Sequence, residues 1–209
     1  MEIIKKFKSK KNSVFLINNE GQFKILKKFT SINVYNKEKN FYKILHGENL
    51  MLPIILEENI MEKSIVYEYL GDRNGVDTIE GYEEQNNEEE CSEFLIKIYK
   101  WLKDFHSVPY IKENELCFFD LSFRNFLLYR DRIYGIDLES ITEGNLSLDV
   151  GRMMAMYLYY DEVKSDFKLS VFERTKDYII GDGEIRENDL SYAIRREEEM
   201  IKIRRDRRI

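Results

Sequence analysis

Phe119-Asp120-Leu121-Ser122-Phe123-Arg124-Asn125, followed after an apolar stretch by Tyr134-Gly135-Ile136-Asp137-Leu138-Glu139, is the part of this chain whose reading decides the rest. The two aspartates stand seventeen residues apart, with Asn125 five positions after the first. An Asp that takes a hydroxyl proton, with an Asn and a second Asp holding Mg²⁺ on nucleotide phosphates, is the side-chain set that ATP-dependent phosphoryl transfer requires. Each residue alone is a weak signal, because loop aspartates most often cap turns. The spacing, with the apolar segments Phe126 to Tyr129 and Arg132 to Ile136 forming a hairpin around Arg130-Asp131, is what gives them weight together.

Working toward the N-terminus, Val14 to Phe29 alternates apolar and polar residues around Asn18-Asn19-Glu20-Gly21, a turn sequence, and reads as a β-hairpin. Its second strand carries Lys27 between apolar neighbours. From Asn33 to His46, Val34, Phe41, Ile44 and Leu45 recur at helical spacing and Gly47 supplies a stop. Leu52 to Leu56 and Lys63 to Tyr69 read as two more strands. Hairpin, helix and two strands make a small mixed lobe.

Lys27 is thus a candidate to hold the α and β phosphates, with Lys28 the alternative if the strand register slips by one. Glu38, eleven residues later on the helix, is placed to pair with it and fix its rotamer. The simpler alternative is a set of solvated strand lysines beside a surface helix charge.

The segment from Gly71 to Glu90 is polar and acidic and reads as a linker between lobes, with its carboxylates leading into a helix N-terminus. Phe94, Leu95, Ile98, Leu102 and Phe105 then form the apolar stripe of a helix from about Cys91 to His106. Further helices are expected near Asp149, Phe167 and Asn188. The organisation expected is residues 1–70 as a nucleotide-binding lobe, 71–90 as hinge and acidic linker, and 91–209 as a helical catalytic lobe.

Composition bounds the alternatives. A chain of 209 residues is long enough for a core, and 43% hydrophobic residues with only two prolines argue against disorder. A net charge of −6 gives no general attraction for nucleic acid. Seven basic against four acidic residues from Arg195 to Ile209 make a candidate docking tail for an anionic partner, or else a solvated helix whose glutamates pair with its arginines. Cys91 and Cys117 show neither zinc-ligand nor disulfide spacing. With no signal peptide or membrane span in the sequence, the expected location is the cytoplasm.

Lys27, Glu38, Asp120, Asn125, Asp137 and the segment Leu148-Asp149-Val150-Gly151-Arg152 together resemble the aminoglycoside phosphotransferase and choline kinase branch of the protein kinase-like superfamily. The resemblance runs in order over about residues 10 to 160, with Pro53 and His106 also at positions where that family often has Pro and His. It implies an α+β, two-lobed fold, with a small antiparallel-sheet N-lobe bearing one helix and a mostly helical C-lobe. It implies Asp120 as catalytic base, Asn125 and Asp137 as Mg²⁺ ligands, Lys27 on the ATP phosphates with Glu38 holding it, and Asp149 as a buttress of the catalytic loop. Tyr67, Glu68, Tyr69 and Leu70 would form the hinge that meets adenine. Glu139 is open to a substrate, second-metal or surface role.

The chain departs from the family pattern in three places. Phe118 stands where a His is usual, the turn near Ser9 to Ser13 has no glycine, and only 60 residues follow Asp149. The function expected is a Mg²⁺/ATP-dependent transfer of the γ-phosphate to a hydroxyl of a small molecule. A compact atypical protein kinase, or a nucleotide-binding pseudokinase acting as an interaction module, are the alternatives.

Overall fold

The structure is a computed structural model that describes residues 2–9, 11–48, 50–159 and 165–206. It is α+β, with one five-stranded antiparallel sheet and a mostly helical remainder. The chain divides into two compact units: Met1–Asp72 with Tyr134–Glu139, and Arg73–Ile133 with Ser140–Ile209.

The first unit holds the strands β1 (Glu2–Phe7), β2 (Ser13–Asn19), β3 (Gln22–Lys28), β4 (Ile55–Asn59) and β5 (Ser64–Glu68), in the spatial order β1-β2-β3-β5-β4. The β2–β3 hairpin is in register from Ser13↔Lys28 to Asn19↔Gln22, as its turn sequence predicts. Strand β1 is an addition that sequence periodicity does not signal. It is an edge strand, exposed along almost its whole length, with a register shift between Ile3 and Lys5, so neither face imposes alternation on it. Ile17, Leu26 and Val66 pack one face of the sheet, with Phe15 against them.

Helix α1 (Ile32–Gly47) starts where the Ser31 side chain accepts the Val34 N–H, and it ends at the expected glycine. Its buried stripe is Tyr35, Glu38, Tyr42 and Leu45, rotated from the expected Val34, Phe41 and Ile44, which are half-buried. A carboxylate in the middle of a buried stripe requires compensating partners, and Glu38 has them.

In the second unit the acidic stretch expected to be linker contains α2 (Gly75–Glu84). Asn74 starts it with a capping box: its side chain accepts from Val76 and Asp77, while Asp77 accepts the Asn74 N–H. Next come α3 (Glu88–Ser107), the short α4 (Pro109–Glu113), β6 (Leu116–Cys117), β7 (Phe126–Tyr129) and its hairpin partner β8 (Arg132–Gly135), whose last two residues are counted with the first unit, and β9 (Thr142–Glu143), which pairs with β6. Finally α5 (Leu146–Tyr159), α6 (Asp166–Asp182) and α7 (Glu187–Asp206) form the helical end. The α3 stripe read from the sequence is buried, with Leu95, Ile98, Leu102 and Phe105 wholly so.

Gly151 lets α5 meet α7, since a Cβ there would lie 2.4 Å from that of Ala193. Met153, Met154 and Tyr157 are core residues. Arg207 and Arg208 of the basic tail lie outside the described residues. Within α7, Arg204 pairs with Glu197 at 2.5 Å and Arg205 donates to the Tyr159 carbonyl. Among the described residues no helix is long and apolar enough to cross a membrane.

Candidate functional site

The first unit brings together Lys27, Glu38, Asp137 and Glu139. Antiparallel pairing sets Val14 and Ile65 on either side of Lys27 along β3, and its side chain is buried. The ammonium donates to Glu38 Oε2 at 2.6 Å and to Asp137 Oδ1 at 2.9 Å, and it lies 3.9 Å from Glu139 Oε2. Burial, the largest single influence on Lys27, works to lower its pKa. The Glu38 and Asp137 carboxylates together outweigh it and hold the amine protonated above its ordinary value.

Burial pushes the Glu38 carboxyl up, and hydrogen bonds from Lys27 and from the Tyr67 hydroxyl, at 2.8 Å, pull it back. Tyr67 is itself pushed well up, by burial and then by Glu38. The competing register is settled by the structure, since Lys28 reaches Glu62 at the surface while Lys27 holds the buried position.

Asp137 has a left-handed backbone, φ 68°, on the segment following β8, and its side chain is about a third exposed. One oxygen from each of Glu38, Asp137 and Glu139 lies within 4.8 Å of the others. An all-oxygen set is the kind Mg²⁺ takes. Glu38 and Glu139 are buried and already hydrogen-bonded, which makes Asp137 the carboxylate best placed to offer an oxygen outward. Glu139, for which a surface role was open, is buried. Asn12 donates to it at 2.6 Å, a contact across 127 residues that no local pattern announces.

The four residues expected to meet adenine, Tyr67 to Leu70, have mixed placements. The Tyr67 hydroxyl is committed to Glu38, and the Glu68 amide donates to the Ile54 carbonyl at 2.9 Å. That Glu68 amide is therefore taken up within the chain. The Tyr69 hydroxyl donates to Asp72, and Leu70 is buried.

The second unit carries Asp120 and Asn125 on one short loop. Asp120 is exposed, and its Oδ1 accepts the Ser122 N–H at 3.3 Å. Asn125 is buried, with Nδ2 donating to the Asp120 carbonyl at 3.0 Å, which leaves its Oδ1 as the side-chain atom that could accept from a ligand or meet a cation. Asp149, wholly buried on α5, holds this loop from behind. It accepts the Phe118 N–H at 2.7 Å and the Phe119 N–H at 3.2 Å, and bonds His106 Nε2 at 2.9 Å. These bonds stabilise Phe119 in a left-handed conformation, φ 68°, immediately before Asp120, while the Arg152 guanidinium lies 4.5 Å from the Phe119 ring centroid. Phe118 is wholly buried, with its ring against Trp101, Phe105 and Phe126. Ring packing and the Asp149 bonds thus anchor the backbone at Phe118.

A groove of about 830 Å³ in the same unit, lined by Lys103, His106, Glu115 and Glu143 among others, includes none of the expected site residues. No protein-family model matches this chain, and no curated protein matches it.

Proposed function

We propose that this chain is a Mg²⁺/ATP-dependent phosphotransferase of protein kinase-like fold that moves the γ-phosphate to a hydroxyl of a small molecule. The observation that carries the reading is the buried Lys27–Glu38 pair with Asp137 on the same ammonium. A lysine so held is protonated and fixed in one rotamer, which is the state that binds phosphate oxygens.

In this reading Asp120 orients the acceptor hydroxyl and takes its proton, and its exposed carboxylate, braced by the Ser122 N–H, suits a group that must meet substrate. Asp137 in the first unit and Asn125 in the second are each assigned a magnesium-ligand role by this reading, and magnesium when bound would neutralise charge on the phosphates. Lys27 shares that task from the sheet of the first unit. The segment Tyr67 to Leu70 meets the adenine. Cys91 and Cys117 are buried free thiols, the form a reducing compartment maintains, and the reading places the enzyme in the cytoplasm.

The test is a screen of hydroxyl-bearing metabolites, amino sugars, amino alcohols and protein acceptors for mass gain with γ-labelled ATP. Small-molecule transfer that collapses in Asp120→Asn while nucleotide binding persists supports the proposal. Transfer to protein alone favours the atypical protein kinase, and nucleotide binding without transfer to any acceptor favours the interaction module. Equal turnover in Asp120→Asn and the parent removes Asp120 from the base role.

A further inference from the structure

A turn that covers phosphates ordinarily relies on glycine, whose freedom lets the backbone approach the ligand closely. Between β1 and β2 this chain has Lys8-Ser9-Lys10-Lys11-Asn12 and no glycine. Asn12 is nevertheless buried, and both the oxygen and the nitrogen of its side-chain amide, with its backbone N–H, are hydrogen-bonded. Its Nδ2 donates to Glu139 Oε2 at 2.6 Å, its Oδ1 accepts the Thr30 N–H at 3.4 Å, and its own N–H donates to Ser9 Oγ at 3.3 Å. One side chain thereby ties the turn to the end of β3 and to the segment that carries Asp137. Glu139 is also approached by Lys11 at 3.5 Å from outside and by Lys27 at 3.9 Å from inside.

We propose that the Asn12–Glu139 contact is a latch that sets the turn over the phosphate-binding lysine and so replaces the glycines the turn lacks. The inference rests on the reading of this unit as a nucleotide site. Asn12 and Glu139 are positioning residues: Asn12 fixes the turn, and Glu139 fixes Asn12 while standing as the third carboxylate around Lys27. Residues bearing a Cβ leave a turn fewer backbone conformations than glycines do, so this turn adapts less readily to a triphosphate after it arrives. It has to be held beforehand, and a charge-assisted hydrogen bond between buried groups is strong enough to do so.

The latch should therefore matter in proportion to the phosphates on the ligand. The test titrates the full chain and its variants by calorimetry with ATP, ADP and adenosine in saturating Mg²⁺. Asn12→Ala and Glu139→Ala should each weaken ATP about tenfold, weaken ADP less, and leave adenosine within about twofold of the parent. Glu139→Gln keeps an acceptor for Asn12 but loses the charge, so its loss of ATP affinity should fall between the parent and Glu139→Ala. The double alanine variant should be no weaker than the weaker single, because both changes open the same contact. Should Glu139→Ala fail to fold, Asn12→Ala and Glu139→Gln carry the comparison.

Unchanged ATP affinity in Asn12→Ala, equal losses for ATP and adenosine, or losses that multiply in the double variant would each overturn the latch while leaving the nucleotide site standing. A parent chain that binds none of the three ligands overturns the functional reading and the latch together.

Discussion

Lys27 and Asp137, 110 positions apart in the chain, meet at 2.9 Å inside one compact unit. The amine comes from a central strand and the carboxylate from a left-handed residue just beyond β8. With Glu38 on the same ammonium, the contact concentrates charge where ordinary folding would bury apolar atoms. Such an arrangement is costly to assemble, and its energetics give the first prediction.

Lys27→Met leaves Glu38 buried without its counter-ion and should cost about 3 kcal/mol of stability. The pH dependence has a definite sign. In the parent, Lys27 has its pKa raised above the ordinary 10.5, so its stabilising contribution is complete below that pH and is lost only as pH rises through the higher folded value. In the variant, the raised Glu38 carboxyl has lost its strongest opposing influence and takes up a proton on folding. The deficit relative to the parent should shrink as pH falls toward the ordinary carboxyl value and widen above it. Urea denaturation of both proteins at about pH 5 and about pH 8 measures it.

Asp149→Ala should destabilise by about 3 kcal/mol, because it removes the acceptor of two loop amides and of His106 at a wholly buried position. Hydrogen exchange at the Phe118 and Phe119 amides should quicken more than exchange in α1, which shares none of these bonds.

Phe118→His should not improve the loop. The ring lies among Trp101, Phe105 and Phe126, so an imidazole there would bury polar nitrogens against aromatic carbon. A loss of about 2 kcal/mol by chemical denaturation is expected. Equal or greater stability would mean that a hydrogen-bond partner lies within reach of the ring.

Gly75→Ala tests the packing of α2 on the loop that carries Asn125. A Cβ at Gly75 would stand 2.5 Å from the Phe123 carbonyl oxygen and 3.1 Å from the Phe94 ring, and the first of these is backbone. The variant should lose about 2 kcal/mol, with faster exchange from Phe123 to Asn125 as the local signature.

The parts of this molecule that are legible in sequence are those governed by local pattern. The β2–β3 hairpin is written in its turn and the α3 stripe in its spacing, whereas the Lys27–Glu38 pair, a strand lysine and a helix glutamate eleven residues on, gains weight only beside the downstream Asp120, Asn125 and Asp137. Strand β1 is not legible, since an exposed edge leaves no alternation in Glu2 to Phe7. Helix α2 is masked by its acidic composition, although Asn74 and Asp77 form a capping box that announces it. The Asn12–Glu139 contact is set by tertiary folding alone. Its one sequence cue is an Asn among lysines and serines, which reads as an ordinary turn residue.

The account turns on whether this chain binds a magnesium nucleotide through Lys27 and Asp137, and thermal unfolding in the presence of ATP measures that directly. The account predicts that ATP with Mg²⁺, at about a hundredfold over its dissociation constant, raises the parent's Tm by roughly 5 °C or more. Most of that rise should be lost when EDTA removes the metal, and also in Asp137→Asn. A parent Tm that does not move at millimolar ATP and Mg²⁺, or a rise that Asp137→Asn and EDTA leave intact, would contradict it.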